Sequence, residues 1–455
     1  MKHGIKKTAC LILSALALEA LCACSGGGIN TDAPAGTDSP ATSLAATEEI
    51  TSEEPVTQIE IILTPEDPRL FNILFSEDAN KADMSVGADG STPENIAAAE
   101  AAMLGRYGVT LNKKLSASAA DDIRTGTLSG TSEYTAVHLG LPEGVPLMIG
   151  GMLQNMSEGG IGITGETVGV NKALTSGFMF GSRLYLLFCN CLTSSLGSSY
   201  ILSADITDET IKNAVLAAAE TYTSAGFTLE DLLKLTESLR TDKKKDVLEI
   251  GGDMGLTAVL AGFGGCVFAR DASGLPACGV KSGEFASAYE GTLKLKAAAE
   301  KSAPIKITRL SDAAPENVIL PLPKLSPDEP YRTFADVTGC SVIAAPSGLA
   351  NGSDLAQYVS ILGMCTDDAV YGAAVKAINE KSPLPGQTVS KIADIIAGGA
   401  VTDTSYVYGW ADMWKFVLSG IDASVPLASL LSDRSLDARI KTVSAAASIY
   451  FQRMN

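Results

Sequence analysis

Short apolar segments alternate with longer amphipathic ones along residues 56–455 of the chain. In the short segments either every second residue or the whole run is apolar, which is typical of half-buried and buried strands. This pattern predicts strands at Val56–Leu63, Tyr134–Leu139, Leu184–Cys189, Tyr200–Ser203, Cys266–Ala269, Ile305–Thr308 and Cys340–Ala345.

The longer segments repeat their apolar residues every three to four positions and predict helices. Thr92 before Pro93, and Thr228 three residues before Asp231, are good helix starts. Because strands and helices alternate, the sequence predicts an α/β protein with partly parallel sheets and a helix-rich C-terminal part. The predicted helices are Pro93–Tyr107, Val145–Met156, Thr207–Ser224, Thr228–Arg240, Glu284–Lys301, Asp354–Met364, Asp367–Glu380, Val389–Ala397, Tyr408–Leu418 and Leu436–Phe451.

The N-terminus has the pattern of an export signal. Three lysines precede the mostly apolar run Thr8–Leu21, which is too short to span a bilayer. The run ends in Leu21-Cys22-Ala23-Cys24, the order of residues that lipoprotein signal peptidase reads. We therefore expect residues 1–23 to be a lipoprotein signal peptide and Cys24 to carry the lipid; an ordinary cleaved signal is the alternative.

The residues after Cys24 predict a disordered stalk. Residues 24–56 are rich in Gly, Ser, Thr, Ala, Pro and acids and contain no aromatic residue, so they can bury little apolar surface. The chain as a whole is 46% hydrophobic, as in globular proteins, and the length of residues 56–455 predicts two domains or lobes. We expect a protein that is anchored by lipid to the cell membrane and faces the extracellular or periplasmic side.

The net charge argues against one class of partner, and the cysteine spacing argues against a zinc site. The formal net charge of −18 argues against a nucleic-acid partner. Six cysteines follow Cys24, and their spacing fits no zinc site. We expect buried free thiols, with a bridge such as Cys266–Cys278 as the alternative; the six are Cys189, Cys191, Cys266, Cys278, Cys340 and Cys365.

Motifs for catalysis are missing from the sequence. There is no G-x-S-x-G, S-x-x-K, H-E-x-x-H or P-loop pattern. His138 is the only histidine after the signal peptide, and it lies in a predicted strand, where a buried structural histidine is the usual outcome. The sequence therefore predicts neither an enzyme nor a cofactor or metal site.

Several local matches, in order and at fitting distances, resemble one protein family. Gly130-Thr-Ser-Glu-Tyr-Thr-Ala-Val, Ala225-Gly-Phe-Thr-Leu-Glu-Asp-Leu and Asn317-Val-Ile-Leu-Pro-Leu-Pro-Lys are three of them; Glu100–Val109 and Ile392–Trp410 are two more. Together they resemble the extracellular solute-binding lipoproteins of ABC-type sugar importers, in a divergent form like those of clostridia. The resemblance covers most of residues 57–452.

The resemblance implies a type II periplasmic-binding-protein fold with two lobes joined by hinge crossovers. It assigns residues 57–170 and 313–365 to lobe 1, and 171–312 and 366–455 to lobe 2. It also implies a polar solute, most simply an oligosaccharide, that is captured by lobe closure and delivered to an importer permease.

Aromatic residues that could stack on a sugar are fewer than in the family. Phe227 stands where the family usually has tryptophan, and Thr135 where it has aspartate. The candidate ligand-binding residues are Tyr331, Phe263, Tyr406, Tyr408, Trp410 and Trp414. The alternative for the last four is a core or hinge-side aromatic cluster, and for Phe263 a turn among glycines. A surface lipoprotein that keeps the fold as a scaffold or regulator, without transport, is the alternative function.

Overall fold

The structure, a computed structural model, describes residues 69–83, 94–158, 160–189, 193–243, 246–270, 276–366, 383–406 and 411–454. The chain divides into two units, Met1–Pro55 and Val56–Asn455, and the described residues all belong to the second. The predicted strand Val56–Leu63 and the predicted helix Asp367–Glu380 lie outside the described residues, as do Cys24, Cys191, Tyr408 and Trp410.

The strands are short, and two sheets contain most of them. In chain order they are β1 (Arg69–Ser76), β2 (Val109–Ser116), β3 (Ala136–Gly140), β4 (Leu153–Gln154), β5 (Tyr200–Ala204), β6 (Leu248–Ile250), β7 (Phe268–Arg270), β8 (Pro276–Cys278), β9 (Ile305–Arg309), β10 (Val318–Leu320), β11 (Thr333–Phe334), β12 (Ser341–Pro346) and β13 (Ala400–Val401).

Helices separate the strands and fill the C-terminal part. They are α1 (Glu77–Asp83), α2 (Glu94–Tyr107), α3 (Ala119–Ser129), α4 (Leu141–Ile149), α5 (Lys172–Gly177), α6 (Thr193–Gly197), α7 (Glu209–Ser224), α8 (Leu229–Lys243), α9 (Gly252–Gly262), α10 (Gly283–Ala298), α11 (Gly352–Thr366), α12 (Gly386–Gly398), α13 (Ala411–Asp422), α14 (Leu427–Leu431) and α15 (Arg434–Met454). None of the described helices is both long and apolar enough to cross a membrane.

The first lobe is built on the five-stranded sheet β2-β1-β3-β12-β4. Strand β1 pairs in parallel with β2 and β3, whereas β12 runs antiparallel to β3 and β4. Successive residues of β1 enter different cores, because Leu74 packs on one face of the sheet and Ile73 and Phe75 on the other. Both faces are therefore covered, as the predicted α/β class requires.

The second lobe is built on the four-stranded sheet β10-β5-β9-β6. Strand β5 is antiparallel to β10 and β9, and β6 is parallel to β9, so this sheet is also mixed. Its strands share one large core with helices from the C-terminal part, in which Trp414 and Tyr289 are fully buried. The prediction of partly parallel sheets is confirmed for both lobes.

Helix positions follow the predicted caps closely. Helix α8 begins after Thr228, whose backbone N–H and hydroxyl donate to Oδ2 of Asp231 over 2.9 and 2.7 Å, while the N–H of Asp231 donates back to the Thr228 hydroxyl. Helix α7 begins after Asp208, whose carboxylate accepts from the N–H groups of Thr210 and Ile211. These local signals place the first residue of each helix within two positions of the prediction.

Other predicted elements need correction. The predicted helix Val145–Met156 is shifted to α4, Leu141–Ile149, and Leu153–Gln154 is a strand. The predicted strand Leu184–Cys189 is an extended segment with isolated bridges, one of which joins Leu187 to Ile343. Strands β1, β2 and β6 and helices α3 and α9 were not predicted from the pattern.

The chain passes between the lobes after Cys189, after Phe334 and after Thr366. The first two crossings touch, because the Asp336 N–H donates to the Ser198 carbonyl over 3.1 Å. The carboxylate of Asp336, with a side chain only 6% exposed, accepts from Nη2 of Arg309 over 2.6 Å. The end of β9 is thus tied to the second crossing by an ion pair.

These crossings shift the predicted lobe boundaries. Residues 171–189 were assigned to lobe 2, but Leu174, Phe178 and Leu186 pack in the first lobe's core. Residues after 312 were assigned to lobe 1, but Val318–Leu320 pairs with Leu202–Ala204 in the second lobe's sheet. Both corrections follow from non-local strand pairing, which the spacing of elements along the chain does not determine.

Among the described residues the cysteines are free thiols. Cys189, Cys340 and Cys365 are buried, as predicted, and Cys266 and Cys278 are half-buried and unbridged.

Candidate functional site

A cavity of about 350 Å³ lies where the two lobes face each other. The first lobe contributes Gly177, the last residue of α5, and Met179 and Phe180, which lie just after the helix. The second lobe contributes the turn after α9, the β7–β8 hairpin and the start of α10. The volume is within the range of ligand pockets, at its lower end.

The side of the cavity nearest α9 is shaped by a glycine turn. Helix α9 ends at Gly262, and Gly264 follows with φ of +90°, a conformation that L side chains rarely adopt. A Cβ at Gly264 would lie 2.7 Å from Oε1 of Glu284 and 3.0 Å from Nη1 of Arg332. Glycine is therefore what lets these two charged side chains pack against the turn.

Arg332 and Glu284 are the charged residues among the described lining residues. Arg332 donates from Nη2 to Oε1 of Glu284 over 2.8 Å and from Nη1 to Oε2 of Glu329 over 2.7 Å. Both ends of its guanidinium fork are thus engaged by carboxylates. The Arg332 side chain is 21% exposed, so the pairs are partly shielded from water.

Behind the wall formed by Thr402 and Thr404 lies the buried carboxyl of Asp403. It accepts from the backbone N–H of Phe268 over 3.0 Å and from that of Ser405 over 2.8 Å. Burial raises the pKa of Asp403, and the hydrogen bonds from Ser405, Phe268 and the Trp414 side chain oppose that rise. Asp403 therefore ties the β7 strand to the segment after β13.

Cys266 lines the same cavity as a protonated thiol. Burial raises its pKa to about 12, and the carboxylates of Asp403 and Glu284 act in the same direction, against Arg332. A thiol with this pKa is a weak nucleophile at neutral pH. The other lining groups are hydroxyls, the Glu284 carboxylate and aromatic rings, which suit hydrogen bonding and stacking.

Four of the predicted site residues, Phe263, Tyr331, Tyr406 and Trp414, belong to the described part of the chain, and none of the four lines the cavity. Phe263 and Trp414 are 1% and 0% exposed and belong to the second lobe's core. The Tyr331 hydroxyl accepts from the Phe227 N–H over 2.6 Å, and its ring stacks on Tyr222. Tyr406 ends a short 3-10 turn that begins at Thr404, a lining residue. Ligand contact by these residues stays a prediction.

Sequence reasoning missed the residues that do line the cavity. Phe180 and Phe268 come from separate lobes, and the Phe268 ring packs in the first lobe's core cluster. Gly264 and Arg332 each follow a predicted residue directly, since Phe263 and Tyr331 precede them. The glycines of Gly262-Phe-Gly-Gly were the sequence signal for this part of the cavity wall. The turn that the sequence offered there as the alternative for Phe263 agrees with the structure.

The chain was compared with known families, curated proteins and solved structures. No family profile and no curated protein matches it. An extracellular solute-binding protein of family 1 from Alicyclobacillus acidocaldarius aligns over 86% of this chain and 100% of its own, at 12% identity and a TM-score of 0.51. The cyclic α-maltosyl-1,6-maltose binding protein of Arthrobacter globiformis aligns over 84% of this chain and 99% of its own, at 12% identity and a TM-score of 0.51.

These similarities establish the fold. The chain has the two-lobed α/β architecture of solute-binding proteins, and its cavity lies between the lobes. The fold class predicted from the sequence is therefore confirmed.

Proposed function

We propose that this protein is a membrane-anchored extracellular solute-binding protein that captures an oligosaccharide between its lobes for an ABC importer. The observation that carries the proposal is the cavity itself, because its walls come from both lobes of a solute-binding fold. The two aligned proteins named above are solute-binding proteins, and the name of one specifies a cyclic maltosyl sugar as its ligand.

The composition of the walls supports a sugar as the ligand. Thr402, Thr404 and Ser282 supply hydroxyls, and Phe180 and Phe268 supply aromatic rings. A sugar has apolar C–H faces and many hydroxyls, and each buried hydroxyl needs a partner. A cavity of this kind provides both types of contact.

The chain crossings between the two lobes support capture of the ligand by lobe closure. A ligand that touches Phe180 on one lobe and Arg332 on the other stabilises the arrangement in which those walls are close. The crossings at residues 189–200 and 334–341 are the segments that would absorb the motion. The Arg309–Asp336 ion pair would hold the second crossing to β9 during that motion.

Thermal unfolding with a panel of neutral trisaccharides tests the proposal. A sugar present at ten times its Kd should stabilise the protein by about 1.4 kcal/mol. Thr402→Trp fills the cavity and should remove this stabilisation, whereas Thr241→Trp, on the exposed surface of α8, should keep it. Maltotriose, cellotriose and xylotriose are suitable probes. If neither these sugars nor peptides stabilise the wild-type chain, solute capture is contradicted.

The burial of Phe263 and Trp414 favours a second candidate function. With these rings in the core, a protein of this fold could serve as a surface scaffold or regulator that binds no solute. The same panel separates the two candidates, because a scaffold shows no stabilisation by any sugar. The cavity, whose walls come from both lobes, supports capture over the scaffold.

Anchoring through Cys24 is proposed from the sequence alone. Expressed in a bacterium that matures lipoproteins and fed a palmitate analogue, the wild-type chain should incorporate label and sediment with membranes. Cys24→Ser should lose both properties, because two acyl chains are needed for firm anchoring. Cys22→Ser is the matched control and should keep both, since that residue leaves with the signal peptide. Labelling of Cys24→Ser at the wild-type level would refute the assignment.

A further inference from the structure

We infer that the Glu284–Arg332 pair makes the cavity bind uncharged saccharides in preference to acidic ones. Glu284 is the residue that excludes the acidic sugars. The inference rests on the proposed function, because it concerns which solute enters the same cavity. Arg332 lines a polar cavity, yet each of its two Nη atoms already donates to a carboxylate.

Arginine recognises a carboxylate through the two parallel N–H groups of its fork. In Arg332 the Nη2 end binds Glu284 over 2.8 Å and the Nη1 end binds Glu329 over 2.7 Å. A ligand carboxylate would have to displace a charged partner that is already in place. Arg332 therefore acts as a neutralised part of the wall.

The glycine turn holds the pair in this position. Gly264 approaches both side chains so closely that even a methyl group there would collide with Glu284 Oε1. Glu284 lies in the first turn of α10, where Ser282 caps the helix by accepting from the Phe285 N–H over 3.0 Å. The carboxylate is thus supported from the turn and from a rigid helix start.

The other charges around the cavity strengthen the exclusion. Two carboxylates, of Glu284 and Glu329, pair with the one guanidinium of Arg332. Lys281, which directly precedes the lining residue Ser282, forms an ion pair with Asp437 over 2.9 Å. Burial is the main cause of the raised pKa of Cys266, and the carboxylates of Asp403 and Glu284 add to it.

Among the described lining residues and their ion-pair partners, two carboxylates face one guanidinium, so an acidic sugar meets net negative charge whereas a neutral sugar is not repelled. Its hydroxyls can donate to the Glu284 carboxylate, whose side chain is 57% exposed beside the cavity. Charged acceptors form the stronger hydrogen bonds, so Glu284 favours neutral hydroxyl donors. Selectivity arises here from a carboxylate that both binds the hydroxyls and occupies the arginine.

Calorimetric titration of the full chain, purified in detergent, tests this inference with two groups of probes. The first group is maltotriose, cellotriose and xylotriose, and the second is trigalacturonate, which carries three carboxylates at a similar size. The wild-type chain should bind a neutral probe and show at least about tenfold weaker binding of trigalacturonate. Glu284→Gln frees the Nη2 end of Arg332 and should tighten trigalacturonate binding at least about tenfold.

Glu290→Gln is the matched control, because it removes the same charge from α10 at a position away from the cavity. It should leave both affinities at the wild-type values. Equal gains for Glu290→Gln and Glu284→Gln would mean that net charge alone acts, and would overturn the role of Glu284. Wild-type binding of trigalacturonate more tightly than any neutral probe would overturn the inference while leaving solute capture intact. Binding of no sugar at all would overturn both.

Discussion

Replacing Trp414 with alanine is expected to lower the free energy of unfolding by about 4 kcal/mol, since large aromatic side chains in cores cost about 3–5 kcal/mol when truncated. Trp414 is 0% exposed, on the face of α13 that also buries Met413, Val417 and Ile421. Removing the indole leaves a void that this packed core cannot refill fully. Denaturant unfolding at neutral pH gives the measurement.

Two variants of α13 define what the change at Trp414 means. Trp414→Phe keeps most of the apolar volume and removes the indole N–H that helps to hold Asp403 in its charged form, so it should cost about half as much. Lys415→Ala changes the next residue, whose side chain is 76% exposed, and should stay within about 0.5 kcal/mol of the wild type. A Trp414→Ala protein as stable as the Lys415→Ala protein would show that Trp414 is a surface platform rather than a core residue.

This result bears on how the aromatic residues were predicted from the sequence. Thr402 and Thr404, which line the cavity, directly precede the predicted aromatic cluster in the sequence, and contact of that cluster with a sugar stays a prediction. The sequence did not determine on which side of the backbone each side chain lies. A shift of one residue in an extended segment moves a side chain to the opposite face. Tyr331 accordingly turns inward onto Tyr222, while Arg332 turns to the cavity.

Helices were predicted more reliably than strands, for physical reasons visible in particular elements. The start of α8 depends on Thr228 and Asp231, which are neighbours in sequence. Strand β1 (RLFNILFS), by contrast, shows no two-residue alternation because both faces of its sheet are covered. The lobe boundaries failed similarly, because the pairing of Val318–Leu320 with β5 joins residues more than a hundred positions apart.

The charged contacts beside the cavity could not be predicted from the sequence. Glu284 and Arg332 are far apart in sequence, and only the close approach at Gly264 brings them together. An acidic chain with many carboxylates gives no sign of which of them engages an arginine. The selectivity of the cavity is therefore a property of tertiary packing.

His138 supplies the second prediction with a large expected effect, a loss of stability in acid. The histidine lies on β3 in the first lobe and is 4% exposed, with its ring 4.4 Å from that of Phe75 and its Nε2 2.8 Å from the Tyr358 hydroxyl. Burial lowers its pKa from 6.5 to about 3. The expectation from sequence of a buried structural histidine agrees with this position.

The sign of the effect follows from proton binding. Between pH 6.5 and pH 3 the unfolded chain binds a proton at His138 and the folded chain does not, so acid favours unfolding. The stabilisation is complete above pH 6.5 and disappears as the pH falls toward 3. Between pH 7 and pH 4 the loss from this one residue is about 3 kcal/mol.

Denaturant unfolding of the wild type and of His138→Gln at pH 7 and pH 4 measures this loss. Glutamine keeps a polar group that can reach the Tyr358 hydroxyl but takes up no proton in this range, so the variant should lose about 3 kcal/mol less than the wild type between the two pH values. Carboxyl groups titrate in both proteins and cancel in the comparison. The only other histidine, His3, lies in the predicted signal peptide, so His138 alone accounts for a histidine-dependent difference. Equal losses in the two proteins would mean that His138 is already protonated, or solvated, in the folded first lobe.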